Sequence, residues 1–164
     1  MATTLLLSLA LMAALFLLLY AAVALVQDKR LFTSAPKEIQ AAVRPKPERF
    51  PGQHALGWFL LAVAALCYPA SFLIGAREGA QQGFGFWQFF LRFFLMLILN
   101  KAYDVAFFDW YLLCRSRFSP RYFPETEKLL GPHLFGYNRK EHLLHVTLFV
   151  PACLLMAWLA SNAF

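Results

Sequence analysis

A short run of polar and ionisable side chains interrupts an apolar stretch of this sequence at Asn100, Lys101, Asp104 and Asp109. Ionisable groups inside hydrocarbon are costly, and they usually mark a ligand site, an ion path or a charge pair. A carboxylate near a lysine or a histidine can also exchange protons with it. The run therefore predicts a polar site within a membrane-spanning helix.

Two histidines, His142 and His145, open a later apolar segment at i, i+3 spacing and lie near one helix face. Imidazole serves as a general base or as a ligand for zinc or iron. The candidate catalytic residues are Asp104, Asp109, His142 and His145, and the candidate metal ligands are Asp109, His142 and His145. The segment 141–145 reads E-H-x-x-H, which matches neither H-E-x-x-H nor H-x-x-E-H. Histidines that only face the membrane interface are the alternative, so the cofactor stays open.

Basic and aromatic residues follow the polar run. The planar fork of arginine matches phosphate oxygens, and tryptophan favours the level of lipid headgroups. Together with the run they form the predicted ligand-binding set: Asn100, Lys101, Asp104, Asp109, Trp110, Arg115, Arg117 and Arg121.

Helical spacing predicts which polar groups share a face. Asn100, Lys101 and Asp104 converge on one stripe, where Lys101 and Asp104 are expected to neutralise each other. Asp109 lies about 140° round the axis from Asp104 in a regular helix. A buried clamp between helices is the alternative to a binding role. Arg92, earlier in the segment, either snorkels outward or pairs with a neighbouring helix, and snorkelling is the expectation.

Composition indicates a membrane protein, because 60% of the 164 residues are apolar and only 15% are charged. Four segments are long enough to cross about 30 Å of hydrocarbon as helices. The predicted spans are Thr3 to Val26, Ala55 to Gly75, Phe86 to Leu113 and His142 to Ser161. We therefore predict an all-α integral membrane four-helix bundle, with residues 1–164 in a single transmembrane domain. The first span is longer than a signal-peptide core, which predicts a retained anchor.

Basic residues predict the orientation. They fill the first and third connections, of about 28 residues each, whereas the second connection holds only Arg77 and the termini hold none. By the positive-inside rule, the first and third connections are cytoplasmic and both termini are outside. Topology and contact with anionic headgroups account for the net charge of +6. A nucleic-acid partner is therefore not expected.

Both cytoplasmic connections carry the signals of a short interfacial helix. In the first, Ser34 is the expected N-cap of a helix that reaches Val43, and the proline-rich stretch 44–51 should be extended. In the third, Pro124 and the acidic residues after it suit a first turn, which Gly131 would end. The shared layout hints at a duplicated helix-loop-helix unit.

A wider pattern links the polar run to the third connection. It consists of Asn100, Asp104, Phe108-Asp109-Trp110 and Cys114, then Pro124-Glu125-Thr126-Glu127 and a last span that bears histidines. Over about residues 100–145 this pattern resembles a group of small bacterial four-helix inner-membrane proteins, in which an Asp-Trp stretch precedes P-G-T-E. Glu125 stands here in place of that glycine. The resemblance implies that the third span and third connection act as one unit, and it implies no activity.

Three functions stay open for this predicted multi-pass protein of the bacterial inner membrane. The first is binding a lipid or small amphiphile, or service as an accessory subunit, through the polar site at the cytoplasmic ends of the third and fourth spans. The second is an enzyme acting on a lipid headgroup or isoprenoid phosphate. In it, Asp109 or Asp104 would orient or deprotonate His142 or His145, which would act as general base or metal ligand, and the arginines of the third connection would hold the phosphate. The third is a small oligomeric transporter or proton-coupled channel using Lys101 and Asp104. Expected partners are anionic membrane lipids, and a second copy or a larger membrane complex is possible.

Overall fold

The computed structural model describes residues 1–32 and 35–163, and every regular element among them is helical. The all-α prediction is therefore confirmed. The expected N-cap Ser34 lies outside the described residues. In chain order the elements are α1 (Ala2–Tyr20), the first π segment (Ala21–Val26), a 3₁₀ turn (Lys29–Leu31), α2 (Lys37–Ala42), α3 (Gln53–Gln81), α4 (Phe86–Tyr103), the second π segment (Asp104–Leu113), α5 (Phe118–Tyr122), 3₁₀ turns at Pro124–Leu129 and Pro132–Leu134, and α6 (Arg139–Ala163).

Among the described residues, three helices are long and apolar enough to cross a membrane. They are Ala2–Val26, which joins α1 to the first π segment, then α3 and α6. They coincide with the first, second and fourth predicted spans, which supports a membrane protein. The third predicted span, Phe86 to Leu113, is not among these helices, and it carries four charged side chains: Arg92, Lys101, Asp104 and Asp109. The four-helix bundle with both termini outside stays a prediction.

The third predicted span does not continue as a regular α-helix. From Asp104 onward the backbone is π-helical, with i→i+5 hydrogen bonds and more residues per turn than the 3.6 of an α-helix. The expected separation of about 140° between Asp104 and Asp109 is therefore wrong, since it assumes α-helical steps. Residues five apart in a π-helix lie closer together around the axis.

The chain divides into two compact units, of which unit 1 comprises Met1–Ala14, Leu66–Tyr103 and Asn138–Phe164. Within it, α4 packs against α6. Its buried core is apolar and consists of Leu7, Leu11, Ala76, Phe89, Phe93, Met96, Cys153, Ala157 and Ala160. Gly79 permits close packing, because a Cβ at that position would lie 2.6 Å from Phe89 Cε1. A single transmembrane domain stays a prediction.

Unit 2 comprises Leu15–Ala65 and Asp104–Tyr137, and it contains both π segments and the short helices of the two long connections. Its buried core consists of Val23, Ile39, Val43, Cys114, Phe123 and Leu134. Here α2 contacts the 3₁₀ turn at Pro124–Leu129. Short helices are thus confirmed in both connections, although the second is 3₁₀ and α5 was not predicted.

Candidate functional site

The predicted polar run is divided between the two units. Asn100 and Lys101 lie in the last turn of α4 in unit 1, whereas Asp104, Asp109 and Trp110 belong to the second π segment in unit 2. The side chains of the run that lie in unit 1 therefore have different neighbours from those that lie in unit 2. The pairing of Lys101 with Asp104 stays a prediction.

In unit 1, two polar contacts connect α4 to neighbouring helices. Asn100 Nδ2 donates to the Tyr68 hydroxyl at 3.3 Å, and Lys101 Nζ lies 3.5 Å from His145 Nδ1. The structure thus brings two predicted site residues together, one from α4 and one from α6. His142 lies one turn before His145 on the same helix. An amine beside an imidazole can hold or transfer a proton.

In unit 2, Asp109 is 8% exposed. Its backbone carbonyl accepts a hydrogen bond from Cys114 Sγ at 3.0 Å. Burial, and after it the charge of Asp109, raise the pKa of the Cys114 thiol, and Arg115 offsets only part of this rise. The thiol therefore stays protonated near neutral pH and is a poor nucleophile.

The basic–aromatic surface of unit 2 consists of Trp110, Arg115, Arg117 and Arg121. The Arg115 guanidinium carbon lies 5.0 Å from the centroid of the Trp110 ring, which is a cation–π contact. The other two arginines belong to α5 and its N-terminal boundary, and α5 packs against the second π segment. All three arginines are exposed, and within residues 1–32 and 35–163 no carboxylate pairs with them.

The Glu125 carboxylate links the third connection to the first through an ion pair and hydrogen bonds. Lys46 Nζ lies 2.8 Å from Glu125 Oε1 and 2.9 Å from Oε2, and the Arg44 N–H donates to Oε1 at 3.4 Å. Burial raises the pKa of this carboxyl, but hydrogen bonds from Lys46 and from backbone N–H groups outweigh it, so the pKa lies below its ordinary value. Glu125, the first acidic residue after Pro124, therefore holds the two connections together.

A polar clasp at the end of the first π segment was missed by sequence reasoning. Gln53 is fully buried, and its Nε2 donates to the Leu25 carbonyl at 2.6 Å and to Gln27 Oε1 at 3.2 Å. Arg49 donates from N and Nε to Gln53 Oε1 at 3.0 and 3.2 Å, and from Nη2 to the Ala24 carbonyl. These donors satisfy carbonyls that a helix end leaves without intrahelical partners. The available signal was a glutamine just before a predicted span, four residues after a loop arginine.

Arg92 is buried in unit 1, so the expectation that it snorkels is wrong. Its Nη1 donates to the Gly75 carbonyl at 2.6 Å and to the Glu78 carboxylate. Glu78 also accepts a hydrogen bond from Thr3 Oγ1 at 2.8 Å. The pairing alternative is the one observed, because α3 continues past its predicted end at Gly75 and carries Glu78 to the arginine. The short connection between α3 and α4, which makes them antiparallel neighbours, was the signal for this pair.

The part of the chain that the structure describes contains no group of three His, Cys, Asp or Glu side chains able to hold a metal ion. Of the candidate ligands, His142 and His145 belong to unit 1 and Asp109 belongs to unit 2. Their roles as metal ligands or catalytic residues stay predictions.

Comparison with known proteins identifies no relative of this chain. No protein-family model, curated protein or solved structure matches this chain. The resemblance over residues 100–145 stays a prediction.

Proposed function

We propose that this chain is an integral membrane protein that binds anionic lipid headgroups through the basic–aromatic surface of unit 2. The contact of Arg115 with Trp110 at 5.0 Å carries the proposal. Tryptophan favours the headgroup level, and a guanidinium stacked on its ring keeps an edge free for phosphate oxygens. Such an arrangement suits a phosphate ester in contact with hydrocarbon.

The distribution of charge in unit 2 supports this function. Lys46 is paired with Glu125, and Arg49 donates to Gln53 and to the Ala24 carbonyl. By contrast, the arginines of the basic–aromatic surface have no carboxylate partner among the described residues. They are therefore available for an external anion, as other exposed basic residues of this unit are, and the stacking of Arg115 on Trp110 distinguishes this surface from the others.

The proposed membrane arrangement has four spans, with both termini outside and the first and third connections in the cytoplasm. It follows the positive-inside rule and places Trp110 at the inner headgroup level. In this arrangement unit 2 faces the cytoplasmic leaflet, whose anionic lipids attract basic residues by about 1 kcal/mol each. The bacterial inner membrane is the location that the resemblance implies.

An arginine-to-lysine experiment separates headgroup recognition from simple orientation by charge. Lysine keeps the charge that orients the protein, but it loses the flat stack and the two-pronged hydrogen bonding. The test protein carries three changes: Arg115→Lys, Arg117→Lys and Arg121→Lys. The control carries three equally conservative changes at exposed arginines outside the surface: Arg30→Lys, Arg44→Lys and Arg139→Lys.

The measurement is native mass spectrometry of the full chain released from nanodiscs that contain phosphatidylglycerol and phosphatidylcholine. We expect wild type and control to retain phosphatidylglycerol preferentially. In the test protein the preference for phosphatidylglycerol should fall about tenfold. Each of the three substitutions should remove about 0.5 kcal/mol of binding free energy, through a lost ring contact or a lost two-pronged hydrogen bond. Equal retention by test and control proteins, or no preference in wild type, would contradict the proposal.

An enzyme acting on a lipid-linked phosphate is the second candidate, and the contact between Lys101 and His145 favours it. If Lys101 donates to Nδ1, the imidazole proton lies on Nε2, from which it can be given to a leaving group. The test is phosphate release from phosphatidic acid or an isoprenyl diphosphate in nanodiscs, by wild type and by His145→Gln. The absence of release by wild type would argue against this candidate.

A further inference from the structure

Arg92 presents an unused hydrogen-bonding edge inside unit 1. The residue is 3% exposed, and both bonds to its guanidinium end at Nη1, on the Gly75 carbonyl and the Glu78 carboxylate. Among the described residues, its Nε and Nη2 are buried and have no hydrogen-bond partner. These two N–H groups point in parallel from one side of the planar guanidinium. That side is the edge that binds two oxygens of a carboxylate or phosphate.

The surroundings of this edge contain a carboxylate that is already satisfied by other donors. Glu78 accepts from Thr3 Oγ1 at 2.8 Å and from Gln82 Nε2, in addition to Arg92. It can therefore stay ionised while Arg92 shares its charge with a second anion. Leaving two N–H groups of a buried cation unsatisfied costs more than binding an oxyanion there.

The wall over the guanidinium is an aromatic ring on a short turn. Phe84 lies with its ring centroid 4.3 Å from the Arg92 guanidinium carbon. It belongs to the connection between α3 and α4, where Gly83 adopts a φ of +71°. The Phe84 N–H donates to the Gly79 carbonyl at 2.9 Å, and the Phe84 ring contacts the Phe89 ring edge-to-face, so this turn fixes the ring over the guanidinium. Because the ring lies over the face of the guanidinium, this contact is compatible with an oxyanion bound in the plane at the Nε–Nη2 edge.

We propose that the Nε–Nη2 edge of Arg92 binds the oxyanion of an amphiphile, a carboxylate or phosphate monoester on an apolar tail. The tail is inferred from exposed apolar side chains on α3 and α4, the two helices that carry Glu78 and Arg92. Ile74 is 54% exposed, Leu91 62% and Trp87 66%. An anion held at Arg92 therefore lies beside a surface suited to hydrocarbon. This site is separate from the basic–aromatic surface and does not depend on the function proposed for it.

The first test needs no variant. Full-length protein labelled with ¹⁵N is prepared in detergent micelles, and the Nε–H resonance of Arg92 is followed while palmitate, hexadecyl phosphate or inorganic phosphate is added. A new two-pronged bond to oxygen shifts this resonance downfield. We expect both amphiphiles to shift it with saturation. No shift with either amphiphile, or an equal shift with inorganic phosphate, would overturn the proposal.

The second test compares two arginines that are close in position and different in environment. Arg92→Lys keeps the positive charge beside Glu78 and removes the paired N–H edge, so binding of both amphiphiles should weaken by about tenfold or more. Arg77→Lys is the control, because Arg77 is exposed and adjacent to Glu78 in sequence. Its affinity for the amphiphiles should stay at the wild-type value. Equal affinities for the two variants would overturn the proposal.

Discussion

Replacement of Gln53 by leucine tests whether the polar clasp holds the first π segment in place. Leucine keeps a similar volume but removes the amide, so the Leu25 carbonyl and Gln27 Oε1 lose their donor. Both residues are buried, at 7% and 3% exposure, whereas Arg49 is exposed and can bond to water instead. A buried polar group left without a partner costs about 1–3 kcal/mol. Two such groups predict a loss of about 2–6 kcal/mol in the free energy of unfolding.

The assay is equilibrium unfolding of the full chain in mixed detergent micelles, followed by circular dichroism. Gln81→Leu is the control, because Gln81 is exposed at the end of the same helix, α3. We expect this surface change to alter the free energy of unfolding by less than about 0.5 kcal/mol. If Gln53→Leu also stayed within that margin of wild type, the clasp would not be a source of stability and the reasoning would fail.

Two further predictions follow. Gly57→Ala places a Cβ 2.6 Å from Val26 Cγ2 and should cost about 1–2 kcal/mol after the gain in helix propensity. Gly85→Ala, whose Cβ meets no atom closer than 3.9 Å, should cost much less, and equal losses in thermal unfolding would contradict this. The pKa of Glu125 is lowered in the folded protein, so its contact with Lys46 stabilises the fold at pH values above the ordinary carboxyl pKa of about 4.3. This stabilisation is lost as the pH falls through the pKa of Glu125 in the folded protein. Lys46→Gln should therefore flatten the loss of stability between neutral and acid pH, and an unchanged slope would count against the contact.

The helices that depend on local signals were predicted well. The helix Ala2–Val26, together with α3 and α6, follows from long apolar runs. The short helix α2 follows from an early proline and apolar residues at helical spacing. These signals need no knowledge of what each helix contacts.

Features that depend on distant residues were not predicted. Arg92 was expected to snorkel because a hydropathy argument treats each helix alone, whereas its partner Glu78 lies 14 residues away on α3. The second π segment is equally invisible to periodicity, since a few residues of i→i+5 bonding look like α-helix in a short window.

The candidate site was predicted by residue type and membrane depth, and only part of it could be placed. Lys101 and His145 were both named, and α4 packing against α6 brings them within 3.5 Å. Their contact depends on the rotation of two helices about their axes, which spacing along one helix does not encode. Arg115 follows Trp110 by five residues, just past the end of the second π segment, and their contact is the local kind that sequence can suggest.

The clasp also bears on the order in which the chain is assembled during synthesis. Arg49 follows Ala24 by 25 residues, and Gln53 follows Leu25 by 28. The carbonyls that end the first helix therefore emerge well before their donors and must bond to water until the start of α3 arrives. Their desolvation is complete only when both segments are present. A nascent chain that stops before Gln53 therefore lacks the donor that the Leu25 carbonyl has in the folded protein.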